Sequence, residues 1–387
     1  MGTSSQLSAA QQNALAAQAV LSQSVEMMQL ISTQTVNPAN QNQLQIIPRN
    51  VGLLKRFIVV VKATVANTDT ALAADLTDFG LSNLLSNVQF TDLNNNQRIN
   101  TTGAHLANLM SLKQRRPFGG SASYSAPLMT DGQANTVWPV LVAPASIAFG
   151  TSAAVRAVFE IPLAYDDHDL RGAIYANVVN ATMQLSLTLN PTIGAAANTD
   201  TSTAVYAGTK NVSVSSATVE VYQVYLDQLP VSGSGVVLPM ADLSTVYELK
   251  TSPFQAIAQG VDFPVPFANF RDFLSVFTTY DNNNQTSTGR ETGGDINYWA
   301  LQSANFTNIW KKSPLIVAME TRHILGRDLP AGCYYHSFRR KPISTVQYGN
   351  MELVINPSTA GPNSTLTVNW EDFAYLNSLT QAGSLAG

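Results

Sequence analysis

The side chains that could carry out chemistry are few and scattered along the chain. The four histidines lack the spacing of a metal site: His105, His168, His323 and His336. The densest polar cluster contains Asp166, Asp167 and Asp169, whose carboxylates could hold a cation through oxygen ligands. The same residues suit a solvated loop in which Asp169 caps the segment that follows, and we favour this interpretation.

A cysteine and a histidine that lie three residues apart form a second candidate. Cys333 and His336 could provide a nucleophilic thiolate–imidazole pair. The two tyrosines between them are typical of a strand, in which residues three apart point to opposite faces. The run that begins at Asp281 starts like a calcium loop, but its sixth residue is Thr286, where that loop needs glycine. Neither candidate predicts a reactive site.

Motifs for nucleotides, nucleophilic hydrolysis and nucleic acids are missing from the sequence. The segment Gly233-Ser-Gly235 lacks the third glycine of a dinucleotide fingerprint, and neither a P-loop nor a Gly-x-Ser-x-Gly elbow occurs. The basic clusters are isolated and form no basic face: Arg115-Arg116, Lys311-Lys312 and Arg339-Arg340-Lys341. We therefore predict no enzymatic activity, no cofactor, no metal and no direct contact with nucleic acid.

The composition is that of a chain with little charge. Only 12% of its 387 residues are Asp, Glu, Lys or Arg, against about 25% in an average soluble protein. Uncharged polar side chains can be buried at an interface at a smaller desolvation cost than ions. This composition favours a protein whose surface is largely covered by copies of itself.

Cysteine content and hydropathy indicate where the chain is made. The single Cys333 excludes an intrachain disulfide framework, and no Lys or Arg precedes Arg49, so a secretory signal is not expected. No run approaches the roughly 18 consecutive apolar residues of a membrane span. We expect synthesis in a reducing cytoplasm.

The N-terminal residues predict a helical arm over residues 1–36. Residues 4–33 are rich in Ala and Gln and contain no Pro or Gly, and Thr3 with Gln6 fits a capping box. We expect one long helix whose stripe, spaced alternately by three and four, would make assembly contacts: Leu7, Ala10, Ala14, Ala17, Leu21, Ser24, Met28 and Ile31. The stripe suits an arm on a partner subunit or membrane and equally a helix packed on its own domain. Because Glu26 is the only charge before Arg49, membrane contact would be apolar and shallow.

Short strand-like segments, separated by Asn, Gly and Pro, fill most of the remaining chain. In the first half they are residues 53–65, 88–91, 136–142, 154–161, 183–189 and 218–226. In the second half they are residues 261–265, 273–280, 315–319, 346–348, 351–355 and 364–370. A helical piece near residues 106–113 interrupts them, but helices do not alternate with strands as a βαβ fold requires. We predict an all-β chain.

The segment 215–249 separates the two halves. Its strand stops at Pro230, Gly233 and Gly235 allow a turn, and Asp242 is placed to cap a short helical turn. A chain of 387 residues also exceeds one ordinary core. We predict two separate antiparallel sandwiches with these divisions: 1–36 arm, 37–230 first sandwich, 231–245 connector, 246–376 second sandwich and 377–387 tail.

Two local similarities favour an old duplication. The segment that begins Leu85-Ser-Asn-Val resembles the one that begins Leu274-Ser-Val, and both lead into an Asn-rich run. Farther on, Met183-Gln-Leu resembles Met351-Glu-Leu. The order of the matched segments is the same in both halves.

The chain resembles the major capsid protein of tectiviruses, tailless icosahedral bacteriophages that carry a membrane inside the shell. The strongest likeness is in Tyr225-Leu-Asp-Gln-Leu-Pro230, Leu238-Pro239 and Asp242-Leu-Ser-Thr245. Other similar blocks run in order from residue 37 to 357: Asn37-Pro-Ala-Asn40, Thr77-Asp-Phe-Gly80, Pro162-Leu-Ala-Tyr165, Asp295-Ile-Asn-Tyr298, Lys341-Pro-Ile343 and Gln347-Tyr-Gly-Asn350.

This resemblance implies two eight-stranded antiparallel jelly rolls in one chain, with an N-terminal helical arm. It further implies a homotrimer that forms a pseudo-hexagonal capsomer, located in the virion and joined there by vertex or penton and minor capsid proteins. The arm, residues 4–33, would face the internal viral membrane, and the tail after residue 376 would help to hold neighbouring trimers together.

Two other functions remain compatible with the residues alone. A jelly roll also serves carbohydrate-binding modules and glycosidases, and 25 acidic residues leave room for a catalytic carboxylate pair. A vertex or receptor-binding protein of the same virion would form pentamers or spikes. The oligomeric state separates these possibilities, because a secreted module should be monomeric.

Overall fold

The computed structural model describes residues 8–114, 141–178, 181–191, 193–196, 203–233, 235–282, 295–304, 306–326, 328–361 and 364–375. Its helices are α1 (Ala9–Gln23), α2 (Gly103–Gln114), α3 (Met240–Leu243), α4 (Pro314–Leu325) and α5 (Thr345–Tyr348), with a 3-10 turn at Gly80–Leu84. In these residues no helix is long and apolar enough to cross a membrane.

The strands of the first half are β1 (Val25–Val36), β2 (Gln43–Ile46), β3 (Leu53–Asn67), β4 (Ala74–Leu76), β5 (Leu85–Thr91), β6 (Gln97–Thr101), β7 (Leu141–Val142), β8 (Ser146–Ile147), β9 (Ser152–Pro162), β10 (Ile174–Tyr175), β11 (Gln184–Leu189), β12 (Gly194–Ala196), β13 (Tyr206–Gly208) and β14 (Val212–Asp227). They are short except for four long ones, β1, β3, β9 and β14. In β3 the side chains alternate between buried and partly exposed along most of the strand, the period of two expected of a sheet over a core.

The strands of the second half are β15 (Val231–Ser232), β16 (Gly235–Val236), β17 (Thr245–Gln255), β18 (Phe263–Pro266), β19 (Arg271–Asp281), β20 (Ile296–Ser303), β21 (Phe306–Lys312), β22 (Cys333–Ser337), β23 (Ile343–Ser344), β24 (Met351–Pro357) and β25 (Thr365–Tyr375). They begin with a short hairpin of two strands, β15 and β16.

The main strands form two barrels with the same topology, and we letter the eight strands of each barrel B to I in chain order. In the first barrel the sheets are β1-β14-β3-β9 (B-I-D-G), extended by β7, and β2-β11-β5-β6 (C-H-E-F). In the second they are β17-β25-β19-β22 (B-I-D-G) and β18-β24-β20-β21 (C-H-E-F). Neighbours within each of these four sheets are antiparallel. The predicted fold of two eight-stranded jelly rolls is confirmed.

The two barrels are not separate sandwiches, which corrects one prediction. Strand F of the first barrel, β6, pairs in parallel with strand B of the second, β17, at Ile99 with Leu249 and Asn100 with Lys250. The C-H-E-F sheet of the first barrel therefore continues into the B-I-D-G sheet of the second. The first hydrophobic core also includes Tyr247 and Phe373 from the second half.

The helical arm is shorter than predicted. Helix α1 is present, but it ends at Gln23, and residues 25–36 form β1, which pairs with β14 over almost its whole length. A ladder of backbone hydrogen bonds along a neighbouring strand overrides the helix propensity of this Gln- and Met-containing segment, because propensity is easily outweighed by tertiary contacts. Without β1 the first barrel would lack strand B, so residues 25–36 belong to the barrel and not to the arm.

The start of the helix also differs from the prediction. Ser8 is the N-cap, and its side chain forms a capping box with Gln11. The predicted capping residues Thr3 and Gln6 lie outside the described residues. Asp242 lies inside α3, where Pro239 is the N-cap and provides no side-chain hydrogen bond, so Asp242 does not cap that turn.

Two predicted strands are helices. Residues 315–319 lie in α4, which begins after Ser313 with Pro314 in its first turn and ends at Gly326 in the left-handed conformation. Residues 346–348 lie in α5. An apolar run of this length fits a strand or a helix, and the flanking Pro and Gly decide in favour of the helix.

Only one of the two sequence similarities lies on strands that are equivalent in the two barrels. Met183 immediately precedes β11 and Met351 begins β24, and both strands are strand H of their barrel. Leu85 begins strand E of the first barrel, whereas Leu274 lies in strand D of the second. The duplication is therefore visible in the topology, and the similarity around Leu85 and Leu274 does not follow it.

Candidate functional site

Helix α1 is fixed to its own chain by one buried side chain and one amide. Val20 is fully buried in a small cluster that includes Leu226 and, at its margin, Leu243 of the connector. The Asn13 amide donates to Asp242 Oδ1 at 2.8 Å and accepts from the Ala241 backbone N–H at 2.9 Å. The helix thus spans the end of the first barrel and the connector to the second.

The residues of the predicted stripe differ in their exposure to solvent. Ala10 and Ala14 are exposed, Ala17 and Leu21 are half-buried, and Leu7 lies outside the described residues. The helix instead buries a line through Asn13 and Val20, which the sequence analysis missed although Val20 is the only β-branched residue in α1.

The last two predicted arm residues lie on strand β1. Met28 is exposed on this strand and Ile31 is half-buried against the first core. In a strand, successive side chains alternate between two faces, so these residues cannot continue the stripe of a helix. The stripe therefore does not exist as one surface.

Strand β1 presents an apolar edge to solvent. Its exposed apolar side chains are Val25 (45% exposed), Met27 (42%), Met28 (58%) and Leu30 (46%). Its one charged residue, Glu26, accepts a hydrogen bond from Lys55 Nζ at 2.6 Å. Among the described residues β1 pairs only with β14, so its other edge carries backbone groups without a ladder partner. Such an edge is a template for another chain.

Helix α4 carries a second exposed apolar surface. It packs on its own barrel through Pro314, Val317 and Thr321. Its other side exposes Leu315 (74%), Ile316 (43%) and Met319 (62%). A surface helix is ordinarily polar on the side away from its own core, and exposed apolar patches often mark interaction sites.

A buried charge network holds the two barrels together. Glu371 of β25 is completely buried and accepts hydrogen bonds from Tyr247 Oη at 2.6 Å, from Arg339 Nη2 at 2.5 Å and from Ser275 Oγ. Lys113, from α2 of the first barrel, lies 5.2 Å from the centre of the Tyr165 ring and 5.3 Å from that of Tyr247. Side chains from both barrels thus surround one carboxylate.

Burial and charge act in opposite directions in this network. Burial raises the pKa of Glu371, but Arg339 and Lys113, with the hydrogen bonds from Ser275 and Tyr247, outweigh it and lower that pKa. Burial lowers the pKa of Lys113, and the charge of Glu371 opposes this effect. The carboxylate is therefore held ionised by the cations around it.

Apolar contacts between the barrels lie beside this network. Ala104 and Leu112 of α2 pack against a cluster that contains Phe277 and Cys333 of the second barrel. Gly172 shows how close the barrels come, because a Cβ added there would lie 2.6 Å from Tyr247 Cβ. The side of α2 that faces the second barrel is thus covered.

The aspartate loop binds groups of its own chain. Asp166 Oδ1 accepts from the backbone N–H groups of His168 and Asp169, and Asp169 pairs with Arg171 at 2.6 Å. Asp167 pairs with Lys55 at 3.1 Å. In the part of the chain that the structure describes, no group of three His, Cys, Asp or Glu side chains could hold a metal ion.

Cys333 and His336 lie on opposite faces of β22. Cys333 Sγ is 3.8 Å from Thr279 Oγ1, whereas the His336 ring stacks on Trp310 with centroids 5.5 Å apart. Burial lowers the pKa of His336 to about 3, and the charge of Lys312 acts in the same direction. The pair therefore cannot act as a thiolate and its base.

Comparison with known proteins gives matches over nearly the whole chain. Residues 3–229 match the family model of the P3 major capsid protein N-terminal part, and residues 244–387 match that of the C-terminal part. Major capsid protein P3 of Enterobacteria phage PRD1 is 38% identical over 378 residues, which covers 97% of this chain and 94% of that protein.

Solved structures with little sequence identity share the fold. The crystal structure of the STIV MCP has a TM-score of 0.63 at 13% identity and covers 92% of this chain and 98% of its own. A chain in the atomic structure of Sulfolobus Turreted Icosahedral Virus has a TM-score of 0.62 at 13% identity and covers 92% of this chain and 93% of its own.

Proposed function

The chain belongs to the P3 major capsid protein family and has a structural role in a viral capsid, and we propose that it acts there as a homotrimer that encloses a membrane. The resemblance to tectivirus major capsid proteins is confirmed by the relative of phage PRD1. The family is one of structural proteins and not of enzymes, so a glycosidase is excluded, and a vertex protein is not supported.

The observation that carries the trimer is the side-by-side placement of two similar barrels in one chain. Three such chains would supply six barrels, enough for a pseudo-hexagonal capsomer. The exposed apolar surfaces on β1 and α4 are available for contacts with neighbouring chains. Closed rings of identical subunits are the usual outcome when such contacts repeat.

Light scattering during size-exclusion chromatography tests the trimer. One chain has a mass of 41.5 kDa, so three give about 125 kDa. A mass of 41.5 kDa at all protein concentrations would contradict the proposal.

We assign the outer side of α1 to contacts at the inner surface of the shell, with the membrane or a neighbouring trimer. This side exposes Leu15 (51%) beside Ala10 and Ala14, and the helix contains no charged residue. Apolar contact with lipid would then be weak and independent of lipid charge. Minor capsid and vertex proteins would be further partners, and synthesis would take place in the host cytoplasm.

Co-sedimentation of the protein with vesicles tests the membrane contact. We expect equal, weak binding to neutral and anionic vesicles, and less binding after Leu15→Gln than after the matched exchange Gln18→Ala on the same helix. Binding that rises steeply with anionic lipid would contradict an apolar contact.

A further inference from the structure

A cavity of about 230 Å³ lies in the cleft between the two barrels. On one side it is bounded by the start of β5, the start of α2 and the loop after β11. On the other side it is bounded by β19 and β25 of the second barrel. One chain therefore forms the cavity from both of its barrels.

The cavity lies at the end of the molecule opposite helix α1. Helix α1 is tied to Asp242 of the connector, which directly precedes the start of β17 at Thr245. Thr367, which lines the cavity, pairs with Pro253, eight residues after Thr245 on β17. At about 3.3 Å per strand residue, the cavity is about 26 Å from the end of the molecule that carries α1.

Among the described residues, no charged side chain lines this cavity. Its rim consists of hydroxyl and amide side chains that are exposed or half-buried: Ser86, Thr102, Asn190, Thr203 and Thr367. A cavity of about 470 Å³ at the opposite end of the same junction differs, because Glu248, Lys250 and Arg271 line it. The neutral polar wall is thus a property of this cavity and not of the whole junction.

An amide at the floor of the cavity is held in a fixed orientation and retains hydrogen-bonding capacity. Asn369 Nδ2 donates to the carbonyl oxygen of Phe277 at 3.2 Å, and its Oδ1 accepts from Thr251 Oγ1 at 2.7 Å. An amide group has two N–H donors and two acceptor lone pairs, so one of each remains. At the rim, the Thr367 hydroxyl has no hydrogen-bond partner in the part of the chain that the structure describes.

These features select the chemistry of a ligand. A charged ligand would lose its hydration without gaining a counter-charge, and an apolar ligand would cover hydroxyl and amide groups without pairing them. A neutral sugar avoids both penalties, because each of its hydroxyl groups can donate and accept. The cavity volume equals that of roughly eight water molecules at about 30 Å³ each, which is room for one sugar ring.

We propose that this cleft binds the terminal unit of a neutral saccharide. The proposed function places α1 at the inner surface of the shell, so the opposite end of the molecule, with the cleft, faces outward. There it would contact sugars on the surface of the host cell. A single site would bind weakly, but a shell presents many copies, and simultaneous weak contacts give strong attachment. Only the outward orientation rests on the proposed function, because the site itself lies within one chain.

Saturation-transfer NMR of the full-length protein with glucose, galactose and N-acetylglucosamine tests the site. Titration of a sugar that binds should give a dissociation constant on the order of 1 mM. Thr367→Val keeps the size of the side chain and removes its hydroxyl, so it should weaken binding about fivefold, the net effect of one hydrogen bond. The matched control Thr365→Val lies two residues earlier on β25, is also half-buried and does not line the cavity. It should bind as the parent does.

The absence of saturation transfer to all three sugars would overturn the site. Binding that Thr367→Val leaves unchanged, or that both variants weaken equally, would place the sugar elsewhere and would also overturn it. Light scattering decides the homotrimer separately, because a single chain contains the whole cavity. A monomer that binds the sugar would overturn the homotrimer and support the site.

Capture of intact particles on beads that carry the same sugar tests the outward orientation. We expect the parent particles to be retained and to be released by the free sugar. Particles of Thr367→Val should pass through, whereas those of Thr365→Val should be retained. Binding of the free sugar by the protein without capture of the particles would overturn the contact with the cell surface and leave the saccharide site in place.

Discussion

The F sides of the two barrels are built alike but differ in what covers them. In the first barrel, α2 and β6 lie against the second barrel and bring Lys113, Thr101 and His105 into buried polar contacts. In the second barrel, α4 presents Leu315, Ile316 and Met319 to solvent. A contact within one chain always has its partner, so it can bury ions that are held by fixed counter-ions. A contact between chains must instead remove its groups from water each time the subunits associate, and apolar side chains do so without the desolvation cost of ions.

Removal of the central carboxylate should break the internal junction. Glu371→Gln leaves Arg339 and Lys113 buried without their counter-charge, and we expect a loss of about 3–5 kcal/mol in the free energy of unfolding. Urea denaturation followed by circular dichroism measures it. The control Glu320→Gln breaks a partly exposed pair with Lys312 and should cost about 1 kcal/mol or less. Equal effects of the two exchanges would show that the network does not join the barrels.

A charge on α4 should affect only the outer contact. Leu315→Asp removes an apolar side chain whose burial in an interface is worth about 1.5–3 kcal/mol, so the trimer should dissociate at concentrations at which the parent is intact. The helical and strand content should not change, because Leu315 is 74% exposed in the single chain. Light scattering over a dilution series measures the effect. Val231→Asp, at a residue equally exposed on the connector, is the control and should remain trimeric.

Acid should weaken both barrels through their buried histidines. Burial lowers the pKa of His105 to about 4 and of His336 to about 3, from 6.5. The unfolded chain therefore takes up protons below pH 6.5 that the folded chain cannot accept, and stability falls as the pH falls toward 3. Each histidine should cost about 2 kcal/mol at pH 5.

The variant His336→Phe keeps an aromatic ring beside Trp310 and removes one proton site. Its loss of stability between pH 7 and pH 5 should be smaller than that of the parent by about 2 kcal/mol. Unfolding curves at pH 8 serve as the reference, since the histidine is neutral in both the folded and the unfolded state there. The same acid sensitivity in parent and variant would contradict the role of His336.

The aspartate loop should have the smallest effect. Replacement of Asp166, Asp167 and Asp169 by Asn removes hydrogen bonds and ion pairs of partly exposed carboxylates, while the buried Lys55 keeps its pair with Glu26. The unfolding free energy should therefore change by about 1 kcal/mol. Trimers should form as in the parent, with or without calcium. Trimers that are lost and then restored by added calcium would identify a metal site and contradict the loop interpretation.

Some features of the molecule follow from local sequence. Apolar-rich segments predicted strand β3 and eight others of the sixteen barrel strands, because a half-buried strand needs one apolar face. The Pro- and Gly-rich stretch around Pro230 and Gly235 predicted where the first barrel ends. Scarce charge predicted surfaces that other copies cover. The first two depend on residues close together in the chain, and the third depends on composition alone.

The tertiary structure alone decided the rest. Residues 25–36 have helix-compatible composition, and only β14, about 200 positions away, makes them a strand. The network around Glu371 joins Lys113, Tyr247, Ser275 and Arg339, whose separation in sequence hides any pattern. The parallel pairing of β6 with β17 likewise joins residues 150 positions apart. Sequence determined which segments could become strands. Long-range pairing determined which of them did, and which strand edges were left for another copy. The reason is that backbone hydrogen bonds are satisfied only by partners that the whole fold brings within reach.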